Sequence, residues 1–296
     1  APIMALVGGS AVTVKPKAAT PKVSKHVLED GTAAWQKAAD ATVADDLYWR
    51  LSATVPAGLS AYDTYAVQFV DTMSAGLDPS KVAASMRVYV AAGADGGSDA
   101  VTCEGGNASS TPAKGWADIT SQCKVSIEGN AFIVRTGDLV AALGGADAFA
   151  VGARVVAVYN APLGANCNRG ATKGNPNEVY LRYPRSPLAD QSGDAGFTRT
   201  PSDDACAYTW GLSLIKRSSS GDKPLAGAKL RIIDDRGHIL TTDGSWSADA
   251  AACVITGADG HVELSGVDAG VYTVEEVAAP KGYTAFEGKR TVTVTA

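Results

Sequence analysis

Aromatic residues make up only 7 % of the 296-residue chain and charged residues only 19 %, with three histidines in all. The formal charge is −5, with no basic stripe and no block of like charge. That excludes nucleic acid and an anionic membrane surface as expected partners. No run approaches the ~20 apolar residues of a membrane span. The most apolar stretch, Phe149 to Tyr159, is short and carries Arg154. GxSxG, Walker and GxGxxG strings are missing, and His26, His238 and His261 stand apart from any carboxylate pattern. No catalytic constellation, metal centre or cofactor site is therefore signalled. Asp203-Asp204 and Asp234-Asp235 fit turns better than calcium sites. The chain opens without a charged-then-apolar leader, so a signal peptide is expected to have been removed or to lie outside it.

Cysteine is sparse and scattered: Cys103, Cys123, Cys167, Cys206 and Cys253 form no CxxC pair and no zinc spacing. Such spacing fits disulfides in an oxidising compartment. Cys103 and Cys123 flank a Gly/Asn/Ser/Pro-rich segment and could close a local loop. Cys206 and Cys253 could staple the C-terminal unit. Connectivity does not follow from sequence, and the odd count leaves one thiol over.

What the chain has in quantity is glycine, 32 residues, beside much Ala, Val and Thr. Small and β-branched side chains with frequent glycines suit short strands and tight turns. Tyr48 to Val55 alternates apolar and polar residues. Strands are also expected at Tyr65 to Asp71, Met86 to Val90, Phe132 to Arg135, Arg154 to Tyr159 and Val179 to Tyr183. Helical signal is confined to short pieces near Asp78 to Ala84 and Gly137 to Leu143. A second series follows: Leu212 to Lys216, Ala228 to Ile233, His238 to Thr241, His261 to Leu264, Gly270 to Glu276 and Arg290 to Thr295. The expected fold is all-β, with tandem immunoglobulin-like sandwiches and minor short helices. The expected division is 1–20, the end of a preceding domain with a Pro-rich linker; 21–196, a larger sandwich; and 197–296, a smaller one. The Gly/Ser/Asn-rich segment near 91–115 could be a binding loop.

Tyr272-Thr273-Val274-Glu275-Glu276-Val277-Ala278-Ala279-Pro280-Lys281-Gly282-Tyr283 resembles the E-box of Cna B-type domains in Gram-positive surface proteins. Leu214-Ile215-Lys216 before Pro224-Leu225-Ala226-Gly227-Ala228 resembles that family's first strand and following loop. Four pieces of the larger unit resemble, in order, the sortase-assembled pilus backbone subunits. Val12-Thr13-Val14-Lys15-Pro16-Lys17 resembles the pilin motif, with Lys15 where tyrosine is usual. Pro21 to Val27 resembles the strand bearing a crosslinking lysine, Tyr65 to Leu77 the strand bearing its acid, and Asn175 to Tyr183 the strand bearing its asparagine. The resemblance implies a fragment of a shaft subunit, extracellular and cell-wall-anchored, that is not an enzyme. Its implied partners are copies of itself, a class C sortase and minor pilins. A pilus-tip or single-copy adhesin binding a host ligand is the alternative. The sorting signal that anchoring requires is not in the sequence, so anchoring rests on the resemblance alone.

An isopeptide forms when an uncharged lysine amine attacks a carboxamide and expels ammonia. Burial lowers the lysine pKa and raises that of a neighbouring carboxyl, which can then shuttle protons. The reaction needs Lys, Asn and an acid at inward strand positions. Strand parity supplies them: Lys25 shares a face with Val23 and Val27, Asp71 with Val67 and Phe69, and Asn177 with Val179 and Leu181. The expected bond is Lys25–Asn177 with Asp71 as the acid, Asp63 being a weaker choice. The same residues also fit a surface lysine on an edge strand and an Asp-Thr turn. In the smaller unit the resemblance makes Lys216 the amine and Glu276 the acid. Its asparagine should follow the last strand, yet no Asn occurs after Asn177. Either the native chain continues past Ala296 or this bond is absent. Lys17, on its Pro-flanked connector, is the expected sortase acceptor, with Lys15 as runner-up; an ordinary solvated linker lysine remains open.

Overall fold

The computed structural model describes residues 20–295 except 44, 57–58, 60–61, 94–98, 146–148, 151, 171–172 and 242–244. Lys15 and Lys17, and with them the linker motif, lie outside the described residues.

The larger unit opens with β1 (Val23–Glu29), β2 (Ala34–Gln36), β3 (Ala38–Asp40), β4 (Tyr48–Thr54) and β5 (Gln68–Met73). A 3-10 turn and α1 (Val82–Ser85) lead into β6 (Arg87–Ala91), β7 (Val101–Glu104), β8 (Asn107–Pro112) and β9 (Ala117–Asp118). Then come β10 (Lys124–Glu128), β11 (Ala131–Arg135), α2 (Leu139–Ala142), β12 (Arg154–Asn160) and β13 (Asn175–Pro184). The unit closes with β14 (Phe197–Arg199) and β15 (Asp203–Tyr208). One sheet runs β2-β1-β4-β12-β6-β9; the facing sheet runs β10-β11-β5-β13-β15-β3, with β14 on the far half of β13. Trp49, Leu51, Ala157 and Tyr159 of the first sheet meet Phe69, Phe132, Val179 and Leu181 of the second in one core. Two-sheet burial is what strand alternation in β4 and β13 requires.

β12 is apolar on both faces because both are covered. Val155, Ala157 and Tyr159 enter the sandwich. Val156 and Val158 pack outward, with Tyr89 and Trp116, against Val101 and its neighbours in the β7–β8 hairpin. Much of the segment expected to be a binding loop is therefore this hairpin, folded onto the sheet.

The smaller unit contains β16 (Trp210–Ile215), β17 (Lys229–Ile233), β18 (Ile239–Leu240), β19 (Trp246–Ser247), β20 (Val254–Ile255), β21 (His261–Val267), β22 (Gly270–Ala278) and β23 (Lys289–Val294). Among the described residues β16 pairs only with β21; the other sheet runs β19-β18-β17-β22-β23, with β20 also on β17. Leu212, Ile232, Val254, Val262 and Tyr272 fill its separate core.

Starting the smaller unit at 197 cuts it in the wrong place. β14 and β15 are bonded to β13, and β15 also pairs in parallel with β3, so both belong to the larger sandwich. Asp203 and Asp204 accordingly start a strand instead of making a turn.

The units meet through hydrogen bonds from Trp210 Nε1 (2.7 Å) and the Ala269 amide (2.6 Å) to Asp40 Oδ2. Arg236 lies 3.2 Å from Asp30 across the same joint.

The cysteine pairings fail on placement. All five cysteines are free thiols. Cys103 belongs to the β7–β8 hairpin and packs on the outer face of the six-stranded sheet, whereas Cys123 packs on the sandwich core. Cys206 sits in β15 of the larger unit and Cys253 beside β20 of the smaller. The first expected pair is thus divided between two cores and the second between two units.

Candidate functional site

Three polar side chains sit where alternation allows only apolar ones. Lys25, Asp71 and Asn177 are each 0 % exposed. β1 brings Lys25 from one sheet; β5 and β13, adjacent in the other, bring Asp71 and Asn177, with Asp71 directly opposite Val179. The arrangement spans the sandwich from sheet to sheet.

A fourth residue, Tyr159 on β12, organises the three. Lys25 Nζ donates to Asp71 Oδ2 and, at 2.9 Å, to Tyr159 Oη. Tyr159 donates its own O–H to Asp71 Oδ2 at 3.1 Å. Asn177 Nδ2 donates to Tyr159 Oη at 2.8 Å. Around them, Phe132 packs edge-on against the Tyr159 ring at 4.9 Å, and Lys25 Nζ lies 5.5 Å from the Trp49 ring centroid. Those rings are the dry wall of the site. Sequence reading missed Tyr159. It saw an apolar run over Arg154 to Tyr159, and nothing in that run marks one hydroxyl as pointing to the lysine; its inward parity with Val155 and Ala157 was the available signal.

Burial dominates the electrostatics. Removal from water pulls the Lys25 amine down to about 8 despite the opposing attraction of Asp71. The same desolvation pushes the Asp71 carboxyl upward, against the pull of Lys25 and Tyr159. Both shifts favour moving the proton from the amine to the carboxyl. The Tyr159 phenol is raised as well, first by burial and then by Asp71, so it stays protonated.

Asp71 Oδ1 and Asn177 Oδ1 are buried without a partner. Buried oxygens of this kind cost on the order of 1–3 kcal/mol each. Asn175, two residues earlier on the same face, is the contrast. Its Oδ1 accepts from the Asn168 amide at 2.8 Å, and its Nδ2 donates to the carbonyls of Asn168 and Ala207. Asn175 is a satisfied structural amide, and a side chain at Gly76 would strike it at 2.0 Å. Asn177 is left partly unsatisfied beside an amine. Asp63 lies in an exposed loop and takes no part.

In the smaller unit Lys216 follows β16 and Glu276 sits on β22. Their charged groups meet at 2.5 Å, and the Phe286 amide donates to the same Glu276 oxygen at 2.7 Å. Glu276 Oε1 is buried with no partner. An open cleft of about 310 Å³ lies over the pair, lined by Leu214, Phe286, Arg290 and Val292 among others. Among the described residues no carboxamide side chain lines it, and Lys216 is 20 % exposed.

Residues 211–296 match the SpaA family, a prealbumin-like fold domain. Among solved structures, the 35 kDa C-terminal fragment of the major pilin GBS80 of Streptococcus agalactiae is similar with a TM-score of 0.65 at 17 % identity, covering 93 % of this chain and 91 % of that one. The major pilin subunit BcpA of Bacillus cereus gives 0.59 at 14 %, over 93 % and 67 %. The pilus backbone RrgB from Streptococcus pneumoniae gives 0.55 at 15 %, over 94 % and 93 %. No curated protein sequence matches the chain. The chain has the fold of Gram-positive backbone pilins, all-β with a few short helices.

Proposed function

We infer that this chain is a structural shaft subunit of a surface pilus, locked by a self-formed Lys25–Asn177 isopeptide bond. The observation that carries this reading is the dry Lys25–Asp71–Asn177 constellation, in which a depressed amine and a raised carboxyl face a partly unsatisfied amide. The fold shared with backbone pilins supports it. In the reaction, Lys25 Nζ bonds to Asn177 Cγ and the Cγ–Nδ2 bond breaks, releasing ammonia while Asp71 handles protons. The reaction is intramolecular and runs once, so the chain is a substrate of its own fold and not an enzyme. A bond joining the two sheets of a sandwich keeps them from separating under pulling force.

Lys216 and Glu276 are the amine and acid of a second such site, whose amide is not among the described residues. Assembly follows from the same reading: a class C sortase joins copies through Lys17, or failing that Lys15, and minor pilins and the cell wall complete the extracellular structure.

The deciding experiment is intact mass of the reduced, denatured chain, followed by peptide mapping. One missing ammonia and a fused peptide holding Lys25 and Asn177 are expected. A mass equal to the plain sequence would remove the crosslink and leave only a pilin-like fold. Incubation with a class C sortase and a donor peptide that carries the sorting signal should give a conjugate that Lys17→Arg abolishes; a conjugate unchanged by Lys17→Arg and Lys15→Arg together would refute that acceptor.

A further inference from the structure

We propose that Tyr159 is a catalytic residue of the crosslinking reaction, the relay that carries a proton from Asp71 to the departing amide nitrogen of Asn177. The inference rests on the isopeptide reading above and assigns a step that Lys, Asn and acid alone leave without a path.

A phenol hydroxyl has one hydrogen to donate and two lone pairs to accept with. All three are used, each on a different member of the site. The O–H goes to Asp71 Oδ2, and the lone pairs take Lys25 Nζ and Asn177 Nδ2. Tyr159 is therefore hydrogen-bonded both to the attacking nitrogen and to the leaving nitrogen. Asp71 bonds to Lys25 and to Tyr159 but has no hydrogen bond to Asn177, and its second oxygen has no partner. The acid's hydrogen-bonded route to the leaving group runs through Tyr159.

Lys25 passes one ammonium proton to Asp71 Oδ2 and becomes a neutral amine. Its lone pair forms the Nζ–Cγ bond, and the carbonyl pair moves onto Asn177 Oδ1. The amide nitrogen, no longer conjugated, now has a basic lone pair. Asp71 donates into the Tyr159 oxygen as the Tyr159 O–H turns to Nδ2, so one proton enters the relay and one leaves it. The Oδ1 pair then re-forms the carbonyl, and the Cγ–Nδ2 bond breaks to release ammonia. Asp71 takes the surplus proton from Nζ. The products are the isopeptide N–H, ammonia and a protonated Asp71, with Tyr159 unchanged. No other acid, base or water is required.

The rest of the residue suits the task. Its ring is fixed by Phe132 and by full burial, so the hydroxyl swings while the ring stays. The raised phenol pKa keeps it a carrier of protons instead of a charged group in a dry cavity.

The test follows the loss of ammonia in time by intact mass, on full-length chain made by cell-free translation and sampled after synthesis stops. Tyr159→Phe keeps the ring and removes only the hydroxyl. Loss of general acid–base assistance at this position should slow crosslinking about a hundredfold. Far-ultraviolet circular dichroism checks that the variant folds. A folded Tyr159→Phe chain that crosslinks within about threefold of wild type would overturn the assignment while leaving the Lys25–Asn177 bond intact. Should that variant fail to fold, 3,5-difluorotyrosine at position 159 keeps the hydroxyl but makes it more acidic. Its rate and solvent isotope effect should both change, and values equal to wild type would overturn the relay. A wild-type chain that never loses ammonia would instead bring down the isopeptide reading itself, and this step with it.

Discussion

Replacing Asn177 by alanine removes the electrophile and leaves Lys25, Asp71 and Tyr159 in place. The proposed Lys25–Asn177 bond would close a loop on the order of 150 residues, and chain-entropy arguments give such a closure about 5 kcal/mol. The side chain itself contributes far less. Asn177 makes one hydrogen bond, to Tyr159, and its Oδ1 is unpaired, so truncation costs about 1 kcal/mol outside the bond. For a unit of this size each kcal/mol moves the midpoint by roughly 2–4 °C. Calorimetry on the full chain should therefore show the larger unit melting about 10–20 °C lower in Asn177→Ala, while the smaller unit melts where it did. The control is the same substitution in an Asp71→Asn chain, which cannot crosslink; there only the minor cost of about 1 kcal/mol remains. A drop of less than about 3 °C, in a protein whose wild type lacks one ammonia, would refute the claim that the bond constrains the unfolded chain.

Asp71→Asn should abolish the ammonia loss, read by intact mass, because among the described residues no other carboxyl bonds to the Lys25 amine. In wild type the rate should be bell-shaped in pH, since the reactive pair must hold one shared proton; its alkaline limb should fall near 8, where Lys25 and Asp71 together give that proton up. Asp268 at the joint has its carboxyl pushed up to about 9 by burial, by its hydrogen bond to Asp40, and by the charges of Asp30, Asp40 and Glu29. Its folded pKa exceeds the unfolded one, so the stability it lends is present at acid pH and lost as pH rises towards 9. Asp268→Asn should flatten that fall in urea midpoints measured from pH 5 to 9. Denatured, unreduced chain should give five thiols with Ellman's reagent, and in the folded chain Cys123 should react slowly, its thiol pushed up to about 11 by burial.

Strand parity made the buried polar residues of the site legible. Lys25, Asp71 and Asn177 each interrupt a run of inward apolar positions, and a polar residue on such a face is rare unless something holds it. The same rule read β4 and β13 correctly, because one face of each is buried against the other sheet. Parity alone did not single out Tyr159, whose ring is as apolar as its neighbours and whose hydroxyl acquires meaning only from three residues brought in by other strands. β14 and β15 were assigned to the wrong unit for a related reason. Pro-Arg-Ser-Pro at 184–187 and the Gly/Ser/Thr residues after it look like a linker, but the chain turns back there and pairs with β13. The cysteines misled because sequence proximity says nothing about which side of a sheet a side chain occupies. Cys103 and Cys123 lie on opposite sides of one.

The two lysine–acid pairs of the chain show what separates a closed site from an unfinished one. At Lys25 the amine is 0 % exposed, the acid is fully buried and a phenol links both to an amide. At Lys216 the acid is buried too, and one of its oxygens is unpartnered, but the amine keeps 20 % of its surface and the cleft above holds no amide. Desolvation is what favours the neutral amine. A segment that covered Lys216 would therefore have to do two things at once: exclude water from the amine and bring an amide to Glu276. An amide supplied without cover leaves the amine in contact with water. Cover without an amide leaves a buried ion pair with nothing to attack. In the larger unit β13 meets both demands in one strand, since Val179 and Leu181 seal the core that Asn177 enters. β16, with one edge unpaired among the described residues, is where a strand of that kind would have to lie in the smaller unit.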